Sequence, residues 1–447
     1  MGALQSVIDA QAMRAAQPAW AALRVEERLA ALTALAGSMA ARREALLAAL
    51  VEDTGRLGPS VAEVDAAGVL VGRWAAMAPA LLAEGAPGAT SHPHVTAASQ
   101  RVPYPLVGII TPWNSPLGLS LIDAIPALIA GCAVMVKPSE VTQRFIAPLE
   151  EAIAAVPALA PVLRFVRGAA DTGRALVNEV DAVCFTGSVT TGRQVAQQAA
   201  NRLIPAFLEL GGKDPAIVLN GADLDRAAGG ICWSGTYNSG QLCHSIERVY
   251  VETPIFELFI SRLLARMQAL TLARPGPADG QLGPFIDPRQ AAIVERHIAD
   301  ALAKGARCLL GGEMLRDGAR IWCQPTLLVD VTHEMAIMRE ETFGPVLPVM
   351  QVPNAETALR LANDSPYGLS ASVWGPEAEA LTLARRLNAG GVSINDASLA
   401  AVLMDAEKNA FGESGLGGSR MGPAALTRFT RTKALLTSRI EGDDPWW

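Results

Sequence analysis

A thiol, a carboxylate and an amide are set along this chain in surroundings that would let them do acyl chemistry together. The thiol is Cys243, which closes the stretch Asn238-Ser239-Gly240-Gln241-Leu242-Cys243, a glycine-punctuated turn of the kind that aims a side chain into a cleft. Upstream, Leu208-Glu209-Leu210-Gly211-Gly212 places a carboxylate beside two glycines, and Thr111-Pro112-Trp113-Asn114 places an amide donor at the end of an apolar run. A thiolate attacks a carbonyl carbon, an amide N–H holds the oxygen that becomes negative, and a carboxylate takes a proton from the water that later releases the acyl group. A cysteine taken alone is more often a small buried apolar residue, so the weight rests on the combination.

These groups must be held by a large scaffold. With 447 residues the chain exceeds the usual size of one hydrophobic core, so two or three domains are expected. Half of the residues are apolar and 18% are charged, which argues against disorder. The net charge of −7 and the lack of a long basic run make nucleic acid and anionic membrane poor partners. Met1-Gly2-Ala3-Leu4-Gln5 does not read as the start of a secretory signal, and the apolar runs look too short for a membrane span. The six cysteines, at 132, 184, 232, 243, 308 and 323, form no Cys-x-x-Cys pair and no zinc-like spacing, so no metal site is expected. Reduced thiols and a cytoplasmic location follow as the default.

Residues 5–85 are rich in alanine and leucine, and Leu29, Leu32, Leu35, Met39, Leu46, Leu47 and Leu50 recur at helical spacing, which predicts a helical scaffold. Pro87, Gly88 and Ser91-His92-Pro93-His94 mark a loop, in which His92 and His94 read as solvated residues rather than metal ligands. From Val102 the pattern becomes short apolar runs at 107–110, 133–136, 163–166, 182–185 and 216–219, separated by helical segments at 119–130, 140–155 and 192–203. This alternation predicts a mostly parallel α/β sheet covered on both faces, with ligands at the carboxyl ends of its strands. Polar residues collect there: Asn114, Lys137-Pro138-Ser139-Glu140, Gly168 and Thr186-Gly187-Ser188.

A second α/β region is expected from Gly212, with a strand at 248–251 and helices at 255–270, 288–304 and 355–363. On the 288–304 helix, Ile293, His297, Ile298 and Leu302 read as one buried face, with His297 packing rather than binding. Residues 396–419 read as an irregular loop near a site, and the tail from 426 as an extended arm with no obvious partner in its own chain, which suggests pairing with another subunit.

No Gly-x-Gly-x-x-Gly fingerprint follows any strand. Gly187-Ser188-Val189-Thr190-Thr191-Gly192 has glycines only at its ends, yet a glycine before a helix N-terminus suits a phosphate. Gly211-Gly212-Lys213-Asp214 is no Walker loop, since Phe207 stands where its first glycine belongs and Asp214 where its hydroxyl residue belongs. Lys137 and Glu140, three apart at a strand end, suit either ribose hydroxyls or a solvated ion pair.

Taken together, Pro112-Trp113-Asn114, Lys137-Pro138-Ser139-Glu140, Phe185-Thr186-Gly187-Ser188, Glu209-Leu210-Gly211-Gly212-Lys213, Gly240-Gln241 with Cys243, Glu341 with Phe343-Gly344-Pro345, and Ser414-Gly415 resemble the non-phosphorylating, NAD(P)-dependent aldehyde dehydrogenase superfamily, over roughly residues 25–440. The resemblance implies a Rossmann-type cofactor domain (1–85 and 104–211), an α/β catalytic domain (212–412) and a small oligomerisation arm (86–103 and 426–447), in a homodimer or homotetramer. It implies that Cys243 is the nucleophile, Asn114 with the Cys243 backbone N–H the oxyanion site, and Glu209 the general base. It also implies NAD as cofactor, with NADP as the alternative, held by Trp113, Lys137, Ser139, Glu140, Gly168, Thr186, Gly187, Ser188, Leu210, Glu341 and Phe343.

The chain departs from the commonest family pattern at Ser115 and Ser239, small residues that would widen the mouth of the site, and in a longer 396–410 stretch. Leu119, Ile122, Trp233, Tyr237, Leu242 and Met404 are the expected substrate wall, and Ile122 stands where relatives acting on succinate semialdehyde carry an arginine. The substrate expected is therefore an uncharged aromatic or medium-chain aldehyde. A coenzyme A-acylating dehydrogenase and a catalytically silent NAD-binding protein are the competing readings, and Glu209 weighs against the first.

Overall fold

The structure is a computed structural model that describes residues 2–92 and 94–439. Four helices, Gly2–Ala21, Val25–Ala41, Arg43–Thr54 and Gly58–Leu82, form the expected N-terminal scaffold. Leu29, Leu32, Leu35 and Met39 share the buried face of the second, and Leu46 and Leu50 that of the third. Contrary to the reading of short apolar runs, Gly58–Leu82 is long and apolar enough to cross a membrane. It buries Val64, Ala67, Leu70, Val71 and Trp74, and it packs against Val25–Ala41 and Pro116–Ala130.

Among the described residues the strands fall into two main sheets. The first runs in the order Gly415–Leu416, Ala206–Glu209, Ala182–Thr186, Leu106–Thr111, Ala133–Pro138 and Leu163–Phe165, and it is parallel except for the short Gly415–Leu416 edge. Leu106–Thr111 and Ala133–Pro138 are buried at every position, as strands covered by helices on both faces must be. Chain order reverses between Leu106–Thr111 and Ala182–Thr186, and such a switch point opens a crevice at the strands' carboxyl ends. The second sheet runs Arg307–Leu310, Thr326–Val329, Val346–Val352, Ile246–Glu252, Asp214–Val218, Ser370–Trp374 and Gly391–Ile394, with separate cores on its two faces.

Two expectations need correction. The terminal strand does have a partner in its own chain: Thr430–Ser438 pairs antiparallel with Val95–Pro103 over nine residues, and Gly88–Ala89 flanks the latter. Pro93 and residues 440–447 of the expected arm lie outside the described residues. On the Arg289–Ala303 helix the buried face is Ala291, Val294, His297, Ile298 and Ala301, while Ile293 and Leu302 are 37% and 43% exposed. His297 packs as expected, its ring nitrogens 3.1 Å from Thr342 Oγ1 and 3.3 Å from Glu340 Oε2.

Candidate active site

The turn before the cysteine is unusual backbone. Asn238 and Ser239 hold left-handed conformations, φ 59° and 56°, and Gly240 follows at φ +70°. A Cβ on Gly240 would stand 2.2 Å from the Gly344 carbonyl oxygen, so both the conformation and the close approach require glycine there. Hydrogen bonds fix the turn: Ser239 Oγ donates to the Gly283 carbonyl at 2.9 Å, and Gln241 Oε1 accepts from the Ile286 N–H at 3.0 Å. Cys243 emerges partly exposed, whereas Cys132, Cys184, Cys232 and Cys323 are buried.

Asn114 follows the Leu106–Thr111 strand and precedes the Pro116–Ala130 helix. Its Nδ2 donates to the Gln241 carbonyl at 2.9 Å, which ties the amide to the cysteine turn and leaves its second N–H for a ligand. Cys243 and Asn114 line one cavity of about 260 Å³ together with Trp113, Leu119, Thr186, Gly187, Ser188, Leu210, Glu341 and Phe343. Gln290 and Ile293 line it as well. Ile293 was expected in the core because its spacing fits a helical stripe; nothing in that spacing tells a core face from a cavity wall.

A second cleft, of about 720 Å³, adjoins this cavity and shares Pro112, Trp113, Thr186, Gly187 and Ser188 with it. Lys137, Ser139, Glu140 and Arg289 line it too and are not shared with the thiol cavity. Lys137 Nζ sits 3.2 Å from Glu140 Oε2, with the lysine buried and the carboxylate half exposed. Burial works to raise the Glu140 carboxyl, but its own backbone N–H and Lys137 outweigh this and hold it below the usual range. Ser188 caps the Val189–Asn201 helix by accepting from the Thr191 N–H, so the helix N-terminus faces the cleft beside Gly187. Gly168 does not line this cleft: it makes the turn after Leu163–Phe165, with Thr172 packed where a Cβ would be, and Ala170 and Gly173 face the cleft instead.

Glu341 and Phe343 are set in place by a buried ion pair that the sequence did not reveal. Lys213 Nζ donates to Glu247 Oε2 at 2.7 Å and to Thr342 Oγ1 at 2.8 Å, while the two Glu247 oxygens accept from the Thr342 and Phe343 N–H groups at 2.7 Å each. Phe343 then meets Trp113 edge to face at 5.6 Å. Glu341 Oε1 accepts from the Gly212 N–H at 3.0 Å, and a Cβ on Gly211 would collide with this carboxyl. Burial and the neighbouring Glu247 push Glu341 up to about 8.

Glu209 ends its strand in register with Thr186 and is half buried. It lines neither cavity among the described residues, yet its charge reaches the thiol: burial first, then Glu341 and Glu209, push Cys243 up to about 12. Trp233 and Tyr237 stack on each other at 4.8 Å and line a third cavity of about 610 Å³ with Arg56, Asn238 and Arg266, apart from Cys243. Ile122, Leu242 and Met404 line none of the three, and the Met404 carbonyl accepts from Arg73.

Comparison with known proteins agrees with this geometry. The aldehyde dehydrogenase family model matches residues 5–435, and the chain belongs to that family. A putative aldehyde dehydrogenase from Anabaena variabilis of solved structure is 51% identical, with a TM-score of 0.98 over 100% of this chain and 96% of its own. A putative NADP(+) succinate-semialdehyde dehydrogenase of Mycolicibacterium smegmatis is 36% identical over 97% of this chain and 84% of its own length. The structure of a Staphylococcus aureus betaine aldehyde dehydrogenase in complex with NAD+ is 30% identical, with a TM-score of 0.91 over 98% of this chain and 88% of its own. The protein is an NAD(P)-dependent aldehyde dehydrogenase with the fold of that family.

Proposed function

We propose that this enzyme oxidises an uncharged aldehyde to the carboxylate through an acyl-enzyme on Cys243, with NAD in the 720 Å³ cleft. The observation that carries the reading is the shared wall: Pro112, Trp113 and Thr186-Gly187-Ser188 border both the thiol and the cleft. The donor set suits a dinucleotide. Glu140 and Lys137 offer an acceptor and a donor for a ribose diol, and Gly187 with the helix N-terminus offers N–H groups for phosphates.

In this mechanism the Cys243 thiol gives its proton to solvent water as its sulfur bonds to the aldehyde carbon. The carbonyl π electrons move onto oxygen, to which the free Asn114 N–H and the Cys243 backbone N–H donate hydrogen bonds. The nicotinamide, when bound, supplies the acceptor for the hydride that leaves this carbon, and a thioester remains on Cys243. Glu209 then takes a proton from water as that water attacks the thioester, and the carboxylate leaves with the thiol restored. A carboxylate at 209 supports hydrolysis over transfer to coenzyme A.

Among residues lining the thiol cavity there is no lysine or arginine, and Leu119, Ile293, Leu210 and Trp113 give it apolar walls, which supports an aromatic or medium-chain substrate. An acidic semialdehyde is the second reading, favoured by the Mycolicibacterium relative's name and by Arg266 in the 610 Å³ cavity. Initial rates with NAD and a panel of benzaldehyde, hexanal and succinate semialdehyde, followed at the absorbance of the reduced nicotinamide, decide between them. Faster turnover of succinate semialdehyde overturns the uncharged assignment, and no turnover of any aldehyde overturns the mechanism.

A further inference from the structure

Asn114 is gripped from behind by a buried ion pair to which the acyl chemistry above assigns no role. Arg56 and Glu63, 3% and 8% exposed, approach to 3.8 Å. Arg56 Nη2 donates to the Asn114 carbonyl at 3.0 Å. Glu63 Oε2 accepts from the N–H groups of Leu117 and Gly118, at 3.0 Å each, and so caps the helix that Asn114 precedes. The same Asn114 carbonyl accepts from Asn238 Nδ2 at 3.1 Å, and Asn238 Nδ2 also donates to the Gln241 carbonyl at 3.1 Å. That Gln241 carbonyl is the acceptor for Asn114 Nδ2. Asn114, Asn238 and the Gln241 carbonyl therefore form a closed ring of hydrogen bonds between the oxyanion loop and the cysteine turn, and Arg56 holds that ring from outside at the Asn114 carbonyl.

Stability is a poor reason for this pair. Taking two charges out of water commonly costs as much as their attraction returns, and Arg56 Nε and Nη1 are bonded to no protein group among the described residues. What the pair supplies is direction. One Asn114 N–H is committed to Gln241, so the aim of the other depends on where the Asn114 main chain sits, and Arg56 and Glu63 set that position.

We propose that Arg56, braced by Glu63, is a positioning residue that aims the free Asn114 N–H at the oxygen of the Cys243 adduct. This rests on the reading that Asn114 holds that oxygen. A double-mutant cycle on the full-length enzyme tests it, with kcat and aldehyde KM measured for Arg56→Met, Asn114→Ala and the double variant. Arg56→Met is expected to lower kcat about tenfold with KM within about threefold, the scale of a misplaced catalytic group, and Arg56→Lys to recover part of the loss. In the Asn114→Ala background the same change is expected to cost less than about threefold, because the residue it acts through is gone. Equal loss in both backgrounds overturns the proposal and marks Arg56 as a general packing residue. Full turnover by Asn114→Ala alone overturns instead the oxyanion reading beneath it. If thermal melting shows that Arg56→Met does not fold, Glu63→Gln carries the same cycle, with a loss of about threefold expected only while Asn114 is present.

Discussion

The thiol cavity and the adjoining cleft share a wall but are built on opposite electrostatic terms. Around Cys243 the carboxyl groups of Glu341, Glu209 and Asp214 outweigh the cation Arg420, and burial pushes both the thiol and Glu341 far from their ordinary values. In the cleft, the buried Lys137 and the half-exposed Glu140 neutralise each other, and Glu140 stays a ready acceptor. The difference teaches which region reacts and which only binds. A cavity that keeps its thiol protonated awaits a positive partner before it is reactive, whereas a paired cleft is prepared for a polar ligand as it stands.

Substitutions break this contrast in order of size. Replacing Cys243 by alanine should remove about four orders of magnitude or more from aldehyde turnover while nucleotide affinity by fluorescence titration stays within about twofold, since a nucleophile is lost and the cleft is untouched. Glu209→Gln should leave one rapid equivalent of reduced nicotinamide in stopped flow and then slow the steady state by about a hundredfold, because only water activation is lost. A uniform loss with no burst would place Glu209 in the first half-reaction. Lys137→Ala should raise the nucleotide KM about tenfold, roughly the 1.4 kcal/mol of one polar contact, and leave the burst rate unchanged.

The smallest effect sharpens the contrast through pH. Glu341 is raised by burial and Glu247, so the folded protein binds this proton more tightly than the unfolded chain does. Its contribution is full below the unfolded value near 4.5 and is lost as pH rises through about 8. Glu341→Gln should therefore flatten the fall in melting temperature of the nucleotide-free enzyme between pH 5 and pH 8, about 1–2 °C of relative gain at the upper end. It should also speed iodoacetamide alkylation of Cys243, read by peptide mass spectrometry, since one of the charges opposing the thiolate is removed.

Much of this architecture is legible in the chain because it rests on local signals. The buried strands Leu106–Thr111 and Ala133–Pro138 announce themselves as apolar runs, and the Ala355–Asn363 helix has the bounds that its pattern predicts. What escapes is tertiary. Arg56 and Glu63 look like ordinary charges near the start of a helix, and only folding brings Arg56 against the Asn114 carbonyl and Glu63 against the Leu117 and Gly118 N–H groups. Lys213 and Glu247 are likewise far apart in sequence, and their neighbours suggest a failed phosphate loop rather than an anchor. Aromatic Trp233 and Tyr237 carry no mark of which cavity they face. The tail strand lacked a visible partner because its partner lies in the first quarter of the chain.

That last pairing dictates the order of assembly. Arg101 and Thr432 are bonded across 331 positions, so a nascent chain emerges with Val95–Pro103 presenting N–H and C=O groups that wait for Thr430–Ser438 to leave the ribosome. Any product cut short before Thr430 keeps that raw edge for good, and is primed to stick to its siblings.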